Sequence, residues 1–318
     1  MMNIVVTDGH TLNPGDLSWA ALEKLGRLTI YERTAVPDIV ERCREANIIL
    51  TNKVPLSAGT LSQLPHLQLI GVTATGYNII DTAAAKQQGI TVCNVPAYGT
   101  ASVAQHTFAL LLELTNQTGL HASSVAAGEW VQSKDFSYTK SPITELAGKT
   151  IGLVGLGNIA QQTARIAQAF DMRVVYYTPG KKQHPFAEWM PLPDLFAQSD
   201  VVSLHCPLTN SNAGFVNNSL LSTMKPTAVL INTARGQLIN EAHLAAALND
   251  HRIAGAALDV LSAEPPPAGN PLLTARNCII TPHIAWISLE ARQRVMATTV
   301  ANIEAFLNKQ PQHVVGQS

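Results

Sequence analysis

The chain is poor in the features that mark several protein classes. Charged residues make up only 14% of its 318 positions and aromatics 5%, and acidic and basic residues nearly cancel to a formal charge of −1. A balanced chain has no electrostatic reason to seek nucleic acid. No apolar run approaches the length of a membrane span, and the start, MMNIVVTDGH, has no basic segment leading into a long apolar stretch. Four cysteines, Cys43, Cys93, Cys206 and Cys278, lie far apart without CxxC spacing, so neither a metal nor a redox pair is expected and they read as reduced core residues. There is no repeat and no low-complexity segment; PPPAGNP at 265–271 is a short stiff loop. With 46% hydrophobic residues, what is left is a core-rich protein, expected to be soluble and cytoplasmic, and too long for one core, so that two domains are expected.

What is present is an open α/β pattern. β-rich runs at 4–7, 48–51, 67–73 and 91–95 predict a small parallel sheet, and a second series at 151–154, 173–178, 201–205, 228–232, 254–259 and 278–281 predicts a complete doubly wound one. Between them, ASVAQHTFALLLEL at 101–114 is apolar nearly all round and reads as a buried crossover helix. The helical pattern at 288–307 lies beyond the second series and is expected to return to the first lobe. The domains predicted are thus 1–98 with 287–318, and 99–286, with a cleft between lobes as the natural substrate site.

The second series opens with TIGLVGLGNIAQQTARIAQAF, a strand, a glycine turn and a helix beginning near Asn158. In such a unit Gly155 permits the turn, Gly157 lets backbone amides approach a pyrophosphate, and a small third residue, here Ala160, allows close packing of helix on sheet. The amides of Asn158 and Ile159 would face the phosphates, with the positive end of the helix dipole behind them. The next strand ends at Thr178, where an acidic residue that grips the adenosine ribose is usual, and Lys181 and Lys182 follow. Without that carboxylate a 2′-phosphate meets no repulsion and finds two ammonium groups, so NADP is preferred and NAD is the alternative; both lysines simply in solvent, with dual use of the nucleotides, is the plainer reading.

Three polar residues sit just past strand ends, where ligands bind in open α/β sheets. Arg235 follows AVLINTA and precedes a glycine, and a guanidinium there can hold a carboxylate or carbonyl by two parallel hydrogen bonds. His283 follows CIITP, and Glu264 opens the proline-rich loop. Each alone has an ordinary structural explanation. Together they suit acid-base hydride transfer: a carboxylate steadies an imidazolium, an arginine holds the acid, and a nicotinamide supplies hydride.

In this order the motifs resemble the D-isomer-specific 2-hydroxyacid dehydrogenase family, most closely its glycerate dehydrogenase and hydroxypyruvate (glyoxylate) reductase branch. The resemblance spans almost the whole chain and rests on TATGYNIID at 73–81, NVPAYGTASVAQHTFALLLEL at 94–114, the glycine turn, MKPTAVLINTARGQLIN at 224–240, AALDV at 256–260 and TPHIAW at 281–286. It implies a Rossmann nucleotide domain inserted into a flavodoxin-like substrate domain, and a homodimer in which the 101–114 helix takes part. It further implies that Arg235 anchors a 2-oxo acid, His283 transfers the proton, Glu264 tunes the histidine, and Thr75 and Gly76 offer amides to the substrate carboxylate. Cys206, Pro207, Thr209, Thr233 and Ala234 would line the cofactor, and Asp259 would lie near the nicotinamide carboxamide unless it only caps a turn. Lys53 and Trp286 are candidates for the substrate pocket, each with a structural alternative. Hydroxypyruvate or glyoxylate fits best; other 2-oxo acids, formate, phosphite, or a nucleotide-sensing role without catalysis are the alternatives.

Overall fold

The computed structural model describes residues 1–181 and 183–316. It divides into two compact units, one of Met1–Tyr98 with Ile287–Ser318 and the other of Gly99–Trp286.

The first unit is a five-stranded parallel sheet of β1 (Asn3–Val6), β2 (Arg27–Ile30), β3 (Ile48–Thr51), β4 (Leu69–Val72) and β5 (Thr91–Cys93), in the order β2-β1-β3-β4-β5. The runs IILT and LIGV are buried at every position because the sheet is covered on both faces, as parallel sheets require. β2 was not expected from the sequence. It is an edge strand whose residues are alternately exposed and half-buried, so it carries no continuous apolar run. The helix Leu289–Leu307 starts at Ser288, whose hydroxyl accepts from the Ala291 amide at 3.2 Å, and its Val295, Met296 and Ile303 pack with Ile4, Val6 and Ile48. Each such fully buried aliphatic side chain contributes roughly 1.5–3 kcal/mol. Within this unit the helix is also pinned by Arg292, which donates both terminal nitrogens to the Asp16 carboxylate.

The second unit holds seven parallel strands: β6 (Thr150–Val154), β7 (Arg173–Tyr177), β8 (Glu188–Trp189), β9 (Val201–Leu204), β10 (Val229–Asn232), β11 (Gly255–Leu258) and β12 (Cys278–Ile280). Their order is β12-β11-β10-β9-β6-β7-β8. The chain runs outward one way from β6 through β7 and β8, then jumps back to β9 and runs the other way. The gap between the carboxyl ends of β6 and β9 is therefore the switch point at which a doubly wound sheet binds ligands. Gly152 in β6 lets Leu195 of the helix Leu192–Gln198 lie directly on the strand, since a β-carbon there would come within 2.5 Å of a Leu195 methyl.

The helix Thr100–Asn116 buries Val103, Ala104 and Thr107 and packs Phe108, Leu110 and Leu111 against this sheet, and Phe108 stacks on Phe170 with ring centroids 5.4 Å apart. It is not buried all round: Ala101, Gln105 and Ala109, four residues apart in sequence, form an exposed stripe. Gln117, at φ 46°, turns the chain into a second helix, Thr118–Ala126. Beyond it Trp130, Val131, Phe136 and Ile143 stand exposed, Val131 and Phe136 by 90% and 92%. Among the described residues no helix is long and apolar enough to cross a membrane, and no three His, Cys, Asp or Glu side chains are grouped as a metal site would need.

Candidate active site

At the carboxyl end of β6, Gly155 has φ +102°, and a β-carbon on it would stand 2.8 Å from the backbone of His205 and Cys206 at the end of β9. No other residue type fits there, because both the dihedral and the space forbid it. Gly157 caps the helix Asn158–Ala169 and has no atom within 4 Å of the position a side chain would take. The start of that helix is thus open on the side of Gly157, and Ala160 within its first turn is fully buried. This cradle opens into a cavity of about 670 Å³, whose walls include Gly155, Gly157, Thr178, Cys206, Pro207 and Thr209. Volume, amides and the glycine contact suit a dinucleotide.

The loop that closes this cavity is held by its own side chains. Asn212 accepts the Thr209 amide at 2.7 Å and donates to the Pro207 carbonyl at 2.8 Å. Burial pushes the Cys206 thiol up to about 11, so it is a neutral wall, not a nucleophile. His205 also lines the cavity and was not anticipated. Burial pushes its pKa down to about 4, and its Nε2 lies 2.9 Å from the Ser203 hydroxyl, so the ring is neutral at ordinary pH.

At the far end of β7 the picture differs from the expected pair of ammonium groups. The Thr178 hydroxyl donates to the Gly180 carbonyl at 2.6 Å, while Lys181 lies over the Trp189 ring, 5.9 Å from its centroid. Lys181 lines a neighbouring hollow with His184 and Trp189 and not the cavity that Thr178 borders. Lys182 is outside the described residues.

Arg235, Glu264 and His283 follow three adjacent strands, β10, β11 and β12. Arg235 is placed by a brace that sequence reading missed. The buried Asn232 accepts the Ala234 amide and donates to the Arg235 carbonyl, both at 2.9 Å. Its signal was a lone polar residue closing the apolar run VLIN. Gly236 follows, and a side chain there would collide with the backbone of Leu261 and Ser262, so the loops after β10 and β11 touch. Gln237 ties them further by donating to the Ser262 carbonyl at 2.9 Å. Arg235 itself is exposed, with one nitrogen donating to the Ala234 carbonyl at 2.7 Å and the remaining donors of the guanidinium uncommitted to any hydrogen bond described.

Glu264 is held by the Leu261 amide on one oxygen, at 3.1 Å, and meets His283 Nδ1 with the other at 2.7 Å. An ionised carboxylate only accepts, so Nδ1 carries the hydrogen and Nε2 is the atom left to exchange a proton. His283 sits in the left-handed region at φ 56°, a conformation that costs a non-glycine residue energy and persists only where surroundings fix it. They do so through Asp259, which is 1% exposed. Its carbonyl accepts the His283 amide at 2.9 Å, and its carboxylate accepts the amides of Ile284 at 2.9 Å and Ala285 at 2.8 Å and the Thr281 hydroxyl at 2.6 Å. Burial alone would raise the Asp259 pKa, yet hydrogen bonds from His106, Thr281, Ala285 and Ile284 outweigh it and hold the carboxyl below its ordinary value. Asp259 was expected beside the nicotinamide or as the cap of a turn, and these contacts make it the organiser of the histidine loop. Thr233 pairs with Thr107 at 3.3 Å, and Trp286 ends the unit close to Gly99.

Lys53, Thr75 and Gly76 belong to the first unit. The Lys53 amide donates to Asp8 at 2.6 Å, and Asp8 also takes the Asn52 amide, so a buried carboxylate shapes the turn after β3. The Thr75 hydroxyl donates to the Val95 carbonyl at 2.9 Å, and the Thr75 carbonyl accepts from Asn94 at 2.8 Å. These bonds fix the 73–81 loop to the end of β5.

Residues 108–285 match the model of the D-isomer specific 2-hydroxyacid dehydrogenase NAD binding domain. The chain is 44% identical to a hydroxypyruvate reductase of Blautia hydrogenotrophica over 99% of its own length and 100% of that protein. It is likewise 44% identical to a glycerate dehydrogenase of Methylorubrum extorquens, with 90% of each covered. Among solved structures, an NADPH-dependent glyoxylate/hydroxypyruvate reductase from Sinorhizobium meliloti superposes with a TM-score of 0.85 at 27% identity, over 99% of this chain and 98% of that one.

Proposed function

Because the chain belongs to the D-isomer-specific 2-hydroxyacid dehydrogenases, we propose that it reduces hydroxypyruvate or glyoxylate reversibly to the 2-hydroxy acid, the D isomer where the product is chiral. The observation that carries this reading is the 2.7 Å pairing of Glu264 with His283 Nδ1, on a strand end two places from Arg235. Arg235 binds and orients the acid through its planar fork. Nε2 of His283 gives the proton to the oxygen of the 2-oxo group, and Glu264 keeps the ring in the tautomer and rotation that this needs. When bound, the nicotinamide supplies the hydride. The cradle of Gly155, Gly157, Asn158 and Ile159 would hold the pyrophosphate, with Cys206, Pro207, Thr209, Thr233 and Ala234 along the rest of the nucleotide. Thr75 and Gly76 we assign to the substrate carboxylate, and Lys53 and Trp286 to substrate selection, on the family resemblance.

Initial rates with a panel of 2-oxo acids test the reading. Hydroxypyruvate and glyoxylate are expected to show the highest kcat/KM; no turnover of any 2-oxo acid, with nucleotide binding intact, refutes it.

We assign NADPH as the preferred nucleotide because Thr178 stands where a carboxylate would repel a 2′-phosphate. Thr178→Asp should then move the ratio of kcat/KM toward NADH by about tenfold or more; a wild-type enzyme equally fast with NADH overturns the assignment. We also assign a homodimer. Its support is the family resemblance, together with four large apolar side chains, Trp130, Val131, Phe136 and Ile143, exposed within one short stretch of the chain. Sedimentation should show a dimer that Phe136→Asp weakens.

A further inference from the structure

His106 lies in the helix Thr100–Asn116, inside the motif AQHTFALLL, and no role in the reaction has so far been needed for it. Its Nε2 is 3.2 Å from the Thr281 hydroxyl and 3.5 Å from the nearer Asp259 oxygen. Thr281 has one hydroxyl hydrogen, and Asp259 receives it at 2.6 Å. Toward His106 the Thr281 oxygen can therefore only accept, and an ionised Asp259 likewise only accepts. The hydrogen must sit on Nε2 of His106, whether the ring is neutral or cationic.

His106 is also the one side chain able to carry positive charge within 4 Å of the Asp259 carboxylate among the described residues. Asp259 is almost wholly buried and accepts the amides of Ile284 and Ala285, while its carbonyl accepts that of His283. Two consecutive amides, directly after the proton donor held at φ 56°, thus depend on one carboxylate. A buried carboxylate keeps its charge only while enough donors face it.

We propose that His106 is a positioning residue for the reaction: through Nε2–H it secures the Thr281–Asp259 pair, which sets the backbone of 283–285 and so the reach of His283. The proposal rests on the reading of His283 as the proton donor, but its structural half is measurable without turnover. His106→Leu removes the donor. His106→Gln keeps an amide N–H on a side chain of similar reach.

Two measurements on the full-length protein decide it. In the first, with no nucleotide or acid added, the amides of 284 and 285 in His106→Leu should exchange with deuterium about tenfold faster or more than in wild type, and His106→Gln should restore most of the protection. In the second, with hydroxypyruvate and NADPH, His106→Leu should lower kcat about tenfold or more while the KM for NADPH stays within about twofold, and His106→Gln should come back to within about threefold of wild type. His106→Leu combined with Thr281→Val should be no worse than the poorer single variant, because both cut one chain of contacts. Unchanged exchange at 284 and 285, a His106→Gln variant as impaired as His106→Leu, or additive losses would overturn the proposal. If His106→Leu does not fold, Thr281→Val carries both measurements. If wild type turns over no 2-oxo acid, the family-based reading of the substrate fails and the exchange result still judges His106.

Discussion

Acid should weaken this protein through His205. The unfolded chain takes up a proton there at the ordinary value of 6.5, whereas burial beside the nucleotide cavity lowers the native value to about 4. Between those two values the unfolded state holds more protons than the native state, so stability falls as pH falls; above 6.5 neither state is protonated and the effect vanishes. Each pH unit of that window contributes about 1.4 kcal/mol, giving about 3 kcal/mol in all and about 2 kcal/mol between about pH 7 and pH 5. These are ceilings, because the ring borders an open cavity and water reaches part of it. The assay is urea unfolding at a series of pH values for wild type and His205→Asn, which keeps a polar partner for Ser203 but cannot titrate. Other groups tilt both curves alike, so the difference between the two isolates His205. The variant should lose less stability on acidification, by up to about 2 kcal/mol at about pH 5. Parallel curves, or a ring resonance of His205 that titrates near 6.5 in the folded protein, would refute the argument.

The remaining expectations concern the three strand-end residues and their supports. His283→Ala should lower kcat by about a hundredfold to ten-thousandfold with nucleotide affinity kept, the loss typical of a missing general acid; near-native turnover removes it from the role. Arg235→Ala should act mainly on kcat/KM for the 2-oxo acid, by about 3–4 kcal/mol or some hundredfold to thousandfold, while leaving nucleotide fluorescence titrations unchanged. Gly236→Ala places a methyl group against the Leu261 carbonyl, so denaturation should show a loss of about 2–3 kcal/mol and activity should fall further than stability explains.

How much of this could be read before any coordinates depended on what each feature asks of the chain. Strands buried on both faces, such as VLIN and IILT, write themselves as unbroken apolar runs, and the glycine turn writes itself because only glycine fits beside His205 and Cys206. β2 and β8 left no such trace: one is a half-exposed edge, the other two residues long, and neither needs an apolar run to pair. Arg235, Glu264 and His283 were legible as residue types at strand ends, because hydride chemistry on an acid needs a cation, a proton donor and something to hold it. The contacts that set those three in place were not. Asn232, Asp259, Thr281 and His106 are ordinary polar residues in ordinary runs, and their partners lie in turns or helices up to 175 positions away. Pattern along a sequence reports the period at which a face is buried; it carries no information about which buried polar group will meet which. One weak signal exists, namely a polar side chain at a position whose neighbours on the same face are apolar, as His106 is beside Val103, Ala109 and Leu110. Burying such a group without a partner costs on the order of 1–3 kcal/mol, so its presence there means that a partner exists, and in this chain that partner is the loop that carries the proton donor.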